Sequence, residues 1–73
     1  MGGRNVTITY HRTADLLYIC LDPGATQVVN KDISDDVVLE LGEDDRIVGI
    51  EILGASKRVD LARVLSMQYA EVA

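Results

Sequence analysis

Residues 5–10 (NVTITY) alternate in type, with Val6, Ile8 and Tyr10 on one side and Thr7 and Thr9 on the other. A period of two is that of a strand with one buried face. Residues 15–21 (DLLYICL) are apolar on both sides and predict a second strand. The link from His11 to Ala14 makes the two a hairpin. With Tyr10 opposite Asp15, Ile8 faces Leu17 and Val6 faces Ile19, so that Val6, Ile8, Leu17, Ile19 and Leu21 are buried together. Beyond a loop at Pro23, residues 27–33 predict a weaker third strand, 37–41 (VVLEL) a fourth and 46–53 a fifth. A turn centred on Asp44 and Asp45 joins the last two and sets Leu41, Leu39 and Val37 opposite Val48, Ile50 and Ile52. Val38, Glu40, Ile47, Gly49 and Glu51 then take the other face. Such a turn wants positive φ at both central residues, which Asp accepts less readily than Gly.

From Ser56 the period lengthens. With Ser56 as N-cap, the pattern predicts one helix over residues 56–69, buried along Leu61, Ala62, Leu65 and Tyr69 and continued by Val72. Lys57, Asp60 and Arg63 fall on the outer side, spaced to pair at i, i+3. The predicted fold is α+β: a single domain with an antiparallel β-meander of about five strands followed by one C-terminal α-helix.

The chain has 73 residues, of which 48 % are hydrophobic. At this size folding hides only about 60 % of the unfolded chain's surface, and one core supplies about 3–5 kcal/mol. The single Cys20 excludes an internal disulfide. Together with the single His11 it falls short of a four-ligand zinc site. A partner chain remains as the supplement, so a homo-oligomer, a dimer in the simplest case, is expected.

Seven Lys and Arg against twelve Asp and Glu give a net charge of −5, which opposes nucleic acid and anionic lipid. Lys57, Arg58 and Arg63 on the helix are outweighed by that acidic remainder. Residues 32–45 carry Asp32, Asp35, Asp36, Glu40, Glu43, Asp44 and Asp45 with no Lys or Arg, a solvated acidic surface that could also steer a basic protein partner. No stretch reaches the roughly 18 apolar residues of a membrane span, and the N-terminus lacks the apolar core of a signal peptide. A cytoplasmic location is expected, which the unpaired Cys20 fits.

No Ser-His-Asp set, phosphate-binding glycine loop or RNA-stacking aromatic stripe is present. No catalytic residue, metal ligand or cofactor is assigned. Asp32, Asp35 and Asp36 lack the spacing of a calcium loop. Cys20 has no cation beside it in sequence to activate its thiol, and His11 is an exposed loop residue. What remains is a candidate interaction or site face of Asp15, Leu16, Tyr18, Val38 and Glu51. As a site, Glu51 would accept a hydrogen bond from the Tyr18 hydroxyl and do acid or base work. As structure, which is favoured, it would pair with Arg46, Arg58 or a second subunit's amide. Asp15 is favoured as an acceptor for turn amides.

The stretches YHRTADLLYI (Tyr10 to Ile19) and DDRIVGIEILGAS (Asp44 to Ser56) resemble the opening and closing motifs of the bacterial and archaeal family known as domain of unknown function 2283. His11 stands where that family has Asp, and Asp45 where it has a turn Gly. The resemblance implies a short, β-rich, single-domain protein with a terminal helix, and it supplies no catalytic residue. The function expected is therefore a non-enzymatic, homo-oligomeric interaction module, with an accessory or antitoxin-like partner protein as its related form. The alternative is a small-molecule-binding protein or enzyme with a site around Tyr18 and Glu51.

Overall fold

In the computed structural model, which describes residues 6–67, 70 and 71, the strands are β1 (Thr7–His11), β2 (Leu16–Cys20), β3 (Val29–Asp32), β4 (Val37–Leu41) and β5 (Ile47–Leu53). Two short helices follow, α1 (Ala55–Arg58) and α2 (Leu61–Leu65). The five strands form one antiparallel sheet in the order β1-β2-β5-β4-β3. The hairpin β1–β2 and the run β3–β4–β5 are thus zipped together along β2 and β5, and the β2–β3 link spans the sheet.

Register decides which side chains share a face. Ile8 lies opposite Ile19, and Tyr10 opposite Leu17, two residues away from the pairing expected with Tyr10 facing Asp15. A shift of two leaves every side chain on its predicted face. The slip arises because Asp15 is not a strand residue. It takes positive φ (52°) and closes the turn with its amide on the Arg12 carbonyl at 3.2 Å. Of the five apolar residues expected to be buried together, Leu17 is fully buried, whereas Val6 and Leu21 are exposed.

The pairs Val37↔Ile52 and Leu39↔Ile50 form as expected, but Leu41 meets Ile47 instead of Val48. Val48 is the extra residue of a bulge. Its side chain is buried, and its carbonyl accepts the amides of Leu21 (2.7 Å) and Asp22 (3.0 Å). The β4–β5 turn is centred on Asp44 and Asp45, at φ 57° and 58°, with the Arg46 amide on the Glu43 carbonyl at 3.2 Å. Both central residues adopt the left-handed conformation that a two-residue hairpin turn requires.

The single helix expected over residues 56–69 is two helices. Val59 is extended (φ −136°, ψ 159°), and Asp60 starts α2 as its cap, accepting the Arg63 amide. Ser56 is not the cap. Gly54 precedes α1 in the left-handed conformation, and the Ser56 side chain is engaged elsewhere. The Asp60–Arg63 ion pair forms at 3.4 Å on the exposed side. Leu61 and Val64 are half-buried, while Ala62 and Leu65 are exposed, because α2 begins in a different phase from a helix started at Ser56. Tyr69 and Val72 of the expected stripe lie outside the described residues.

The inward face of the sheet carries Ile8, Tyr10, Leu17, Ile19, Val37, Leu39, Ile50 and Ile52. Among the described residues, Leu17, Val48 and Ala55 are the buried hydrophobic core.

Candidate functional site

Four of the five candidate residues share the outward face. Tyr18 pairs with Glu51, Glu51 with Val38, and Leu16 with Leu53. Leu16, Tyr18, Val38 and Glu51 are half-buried there. Asp15 is not with them; it sits at the β1–β2 turn.

On this face the Tyr18 hydroxyl donates to Glu40 Oε1 at 2.6 Å, not to Glu51 as expected. Glu40 pairs with Gly49 across the strands, and Gly49 explains the choice. A side-chain carbon there would lie 2.7 Å from Glu40 Oε1 and 2.8 Å from the Tyr18 hydroxyl. The absence of a side chain opens a slot across β5 in which tyrosine and glutamate meet. Glu51 is the diagonal neighbour of Glu40, within reach of a long side chain. Burial, then a hydrogen bond with Glu40 and its charge, push the Glu51 carboxyl above the usual carboxylate range. The hydrogen bond to Glu40, burial and the neighbouring Cys20 raise the Tyr18 phenol. Of the two arginines considered for Glu51, Arg58 pairs with Asp36 at 3.4 Å, and Arg46 forms no ion pair with Glu51 among the described residues.

The second constellation ties the sheet to α1. Asp15 Oδ1 accepts the Tyr10 hydroxyl at 2.7 Å and the Ser56 amide at 3.0 Å, and Oδ2 accepts the Ser56 hydroxyl at 2.7 Å. The Asp15 carbonyl takes the Ala55 amide at 3.0 Å. The Tyr10 and Ser56 bonds hold the Asp15 carboxyl below its usual range, while Tyr10 is raised by the same contact. Asp15 is an acceptor for backbone and hydroxyl donors.

Sequence reasoning placed Glu40 and Gly49 on the outward face without giving them a role. It also left Ser56 as a cap. The signal for Ser56 was present, since Tyr10, Asp15 and Ser56 all fall in the two resembling motifs; the contact between those motifs is a tertiary fact.

Two hollows flank the site, the second sharing only Leu16 with it. One of about 270 Å³ runs between the β2–β3 loop and the β4–β5 turn, with Asp22, Thr26, Gly42 and Arg46 among its walls. The other, about 490 Å³ and open, is lined by His11, Arg12, Thr13, Ala14 and Leu16. Neither is lined by Tyr18 or Glu51. Among the described residues no group of three or more His, Cys, Asp or Glu is placed to hold a metal ion, and no helix is long and apolar enough to cross a membrane.

No curated protein and no solved structure matches this chain. A family described as "Protein of unknown function (DUF2283)" matches residues 7–56. The match opens with β1 and ends on Ser56, the residue that closes on Asp15, and it covers the whole sheet: the chain belongs to the DUF2283 family.

Proposed function

We propose that this protein is a non-enzymatic interaction module of the cytoplasm that completes its fold by pairing with a second copy of itself. The observation that carries the reading is how little of the sheet is covered on either side: inward Ile8, Ile19, Val37, Leu39, Ile50 and Ile52 are only half-buried. Leu17 and Val48 are buried on the inward side, where Tyr10 shares the Asp15 carboxylate with Ser56 of α1. On the outward side Leu16, Tyr18, Cys20 and Val38 are only half-buried, and Leu53 is exposed. A core this small supplies about 3–5 kcal/mol, and covering a second apolar face adds roughly 25 cal/mol for each Å² removed from water. An accessory role, with the acidic segment of residues 32–45 holding a basic protein, is the natural extension.

The ligand-site alternative is less well supported. The Tyr18 hydroxyl has Glu40 beside it, but that contact raises the phenol, the reverse of an activated nucleophile, and neither hollow is lined by Tyr18 or Glu51. Sedimentation equilibrium from 1 to about 100 μM tests the pairing over the range of weak to moderate interfaces. A concentration-dependent dimer is expected, and a folded monomer throughout overturns the reading.

A further inference from the structure

The sheet has two open edges, β1 and β3, and they are built differently. Each has a strand on one side only and, among the described residues, presents backbone donors and acceptors on the other. Hydrogen bonds at the strand ends show which groups these are, because bonding direction alternates residue by residue in an antiparallel ladder. The Leu21 amide donates to the Val48 carbonyl at 2.7 Å, and the Asp15 carbonyl accepts the Ala55 amide at 3.0 Å. Both continue the β2–β5 register, so the backbone groups of Leu17 and Ile19 point at β5. Those of Leu16, Tyr18 and Cys20 then point at β1, where they meet His11, Thr9 and Thr7. The amides and carbonyls of Ile8 and Tyr10 are left on the open side. On β3 the Ile33 amide donates to the Val37 carbonyl at 2.8 Å, which leaves the groups of Asn30 and Asp32 open.

Charge separates the two edges. β3 is four residues long and carries Lys31 and Asp32. Setting its exposed Val29 against Ile33 of an identical strand would bring Lys31 onto Lys31, and like charges directly opposite are destabilising. Short, charged strands of this kind guard an edge. From Val6 to His11 there is no Asp, Glu, Lys or Arg, and Thr7, Ile8 and Thr9 are β-branched residues suited to a ladder. The acidic segment of residues 32–45 lies on the far side of β2 and β5. Two copies meeting at β1 keep those acids apart.

The β1 edge is also complementary to itself. A two-fold axis through Ile8 sets Ile8 on Ile8, Val6 on Tyr10 and Thr7 on Thr9. The inward pairs, which exchange the open backbone hydrogen bonds, are then all apolar, and the outward pairs are threonine on threonine, a favourable cross-strand pair. Val6, 53 % exposed in the single chain, gains a neighbour. A slip of two residues would put Val6 against Arg12 instead.

We propose that two copies of this chain join along β1, antiparallel and centred on Ile8, into one continuous sheet with five strands from each. This deepens the self-association proposed above and rests on it, naming the edge as its interface. A strand this short buries less than the roughly 1,200 Å² of a standard interface, which places the pairing in the weak class.

Two measurements on the full chain test it. Amide hydrogen exchange by NMR should show Ile8 and Tyr10 protected at high protein concentration and at least tenfold faster on dilution, while Thr7 and Thr9, bonded to β2, stay protected throughout. A charge swap reads the contact itself. Chains carrying Thr7→Lys with Thr9→Lys, or Thr7→Glu with Thr9→Glu, should each associate at least tenfold more weakly than wild type, and an equal mixture of the two should recover the dimer in sedimentation equilibrium. A wild-type dimer in which Ile8 and Tyr10 exchange independently of concentration, or in which Asn30 and Asp32 are protected in their place, overturns the β1 interface and leaves self-association standing. So does a swapped mixture that stays monomeric although both chains fold. A wild-type monomer at every concentration overturns self-association itself and the interface with it. If the swapped chains do not fold, the exchange measurement on the wild type decides alone.

Discussion

Among the described residues two tyrosine hydroxyls donate to carboxylates, Tyr10 to Asp15 at 2.7 Å and Tyr18 to Glu40 at 2.6 Å. The contacts are alike; their surroundings are not. The other donors on Asp15 are the amide and hydroxyl of Ser56, so a negative charge there is welcome and the carboxyl is held low. Beside Glu40 stands a second carboxyl, Glu51, which burial and Glu40 push up. A tyrosine–carboxylate hydrogen bond therefore does not by itself fix how a region answers to pH; the next neighbour does. Donors make the first region a structural knot, and the second acid makes the other region sensitive to a proton.

The two regions act on stability in opposite directions. Asp15 is lowered relative to an unfolded value of about 3.9, so its contribution is present above that pH and is lost as pH falls through the folded value. Glu51 is raised relative to about 4.3, so its contribution is present below that pH and is lost as pH rises through the folded value. These two groups alone place the most stable condition near pH 4.

The largest expected effect removes what the two regions share. Strand β2 follows Asp15 directly and carries Tyr18, with Leu17 pointing inward between them at 0 % exposure. Leu17→Ala costs about 2–5 kcal/mol, comparable to the whole stability of a core this size, and circular dichroism should show a largely unfolded chain at 25 °C. Next, Asp15→Ala removes the acceptor of three hydrogen bonds and leaves a positive-φ residue without a local partner. Its thermal midpoint should fall well below wild type at pH 7, with the gap narrowing as pH falls toward 2 and the wild-type carboxylate takes up its proton. An equal gap at both pH values would show that the turn conformation, not the carboxylate, matters.

Smaller effects belong to the outward face. Gly49→Ala collides with Glu40 Oε1 and with the hydroxyl and ring edge of Tyr18, and should cost at least the roughly 1 kcal/mol of the lost hydrogen bond, read from urea unfolding. Tyr18 should then ionise closer to an ordinary phenol. Smallest is Glu51→Gln, which should stabilise the chain by under about 1 kcal/mol at pH 7, given partial solvent screening, and not at pH 4. A destabilised variant at pH 7 would mean that the Glu51 charge is useful to the fold, and the contrast between the regions would fail.

The sequence carried the faces of the strands because side-chain direction alternates residue by residue and survives a register slip of two. Thus Leu16, Tyr18, Val38 and Glu51 were assigned together even though the β1–β2 pairing was misjudged. The turn at Asp44 and Asp45 was legible for the same local reason. The bulge at Val48 was not, because it depends on the amides of Leu21 and Asp22 arriving from across the sheet. Nor was the break at Val59, since Ser56 looks like a helix cap until Asp15 claims its hydroxyl.

By itself, then, the sequence determined the strands, the inward and outward sides, the central residues of the last hairpin and the family, all of which follow from local periodicity or short motifs. Only the tertiary structure decided that β2 lies beside β5, that Asp15 meets Ser56 across 41 positions, and that Tyr18 chooses Glu40 over Glu51. Those outcomes depend on which distant strands pair and in what register, and that is settled by packing of the whole sheet, which no local stretch encodes.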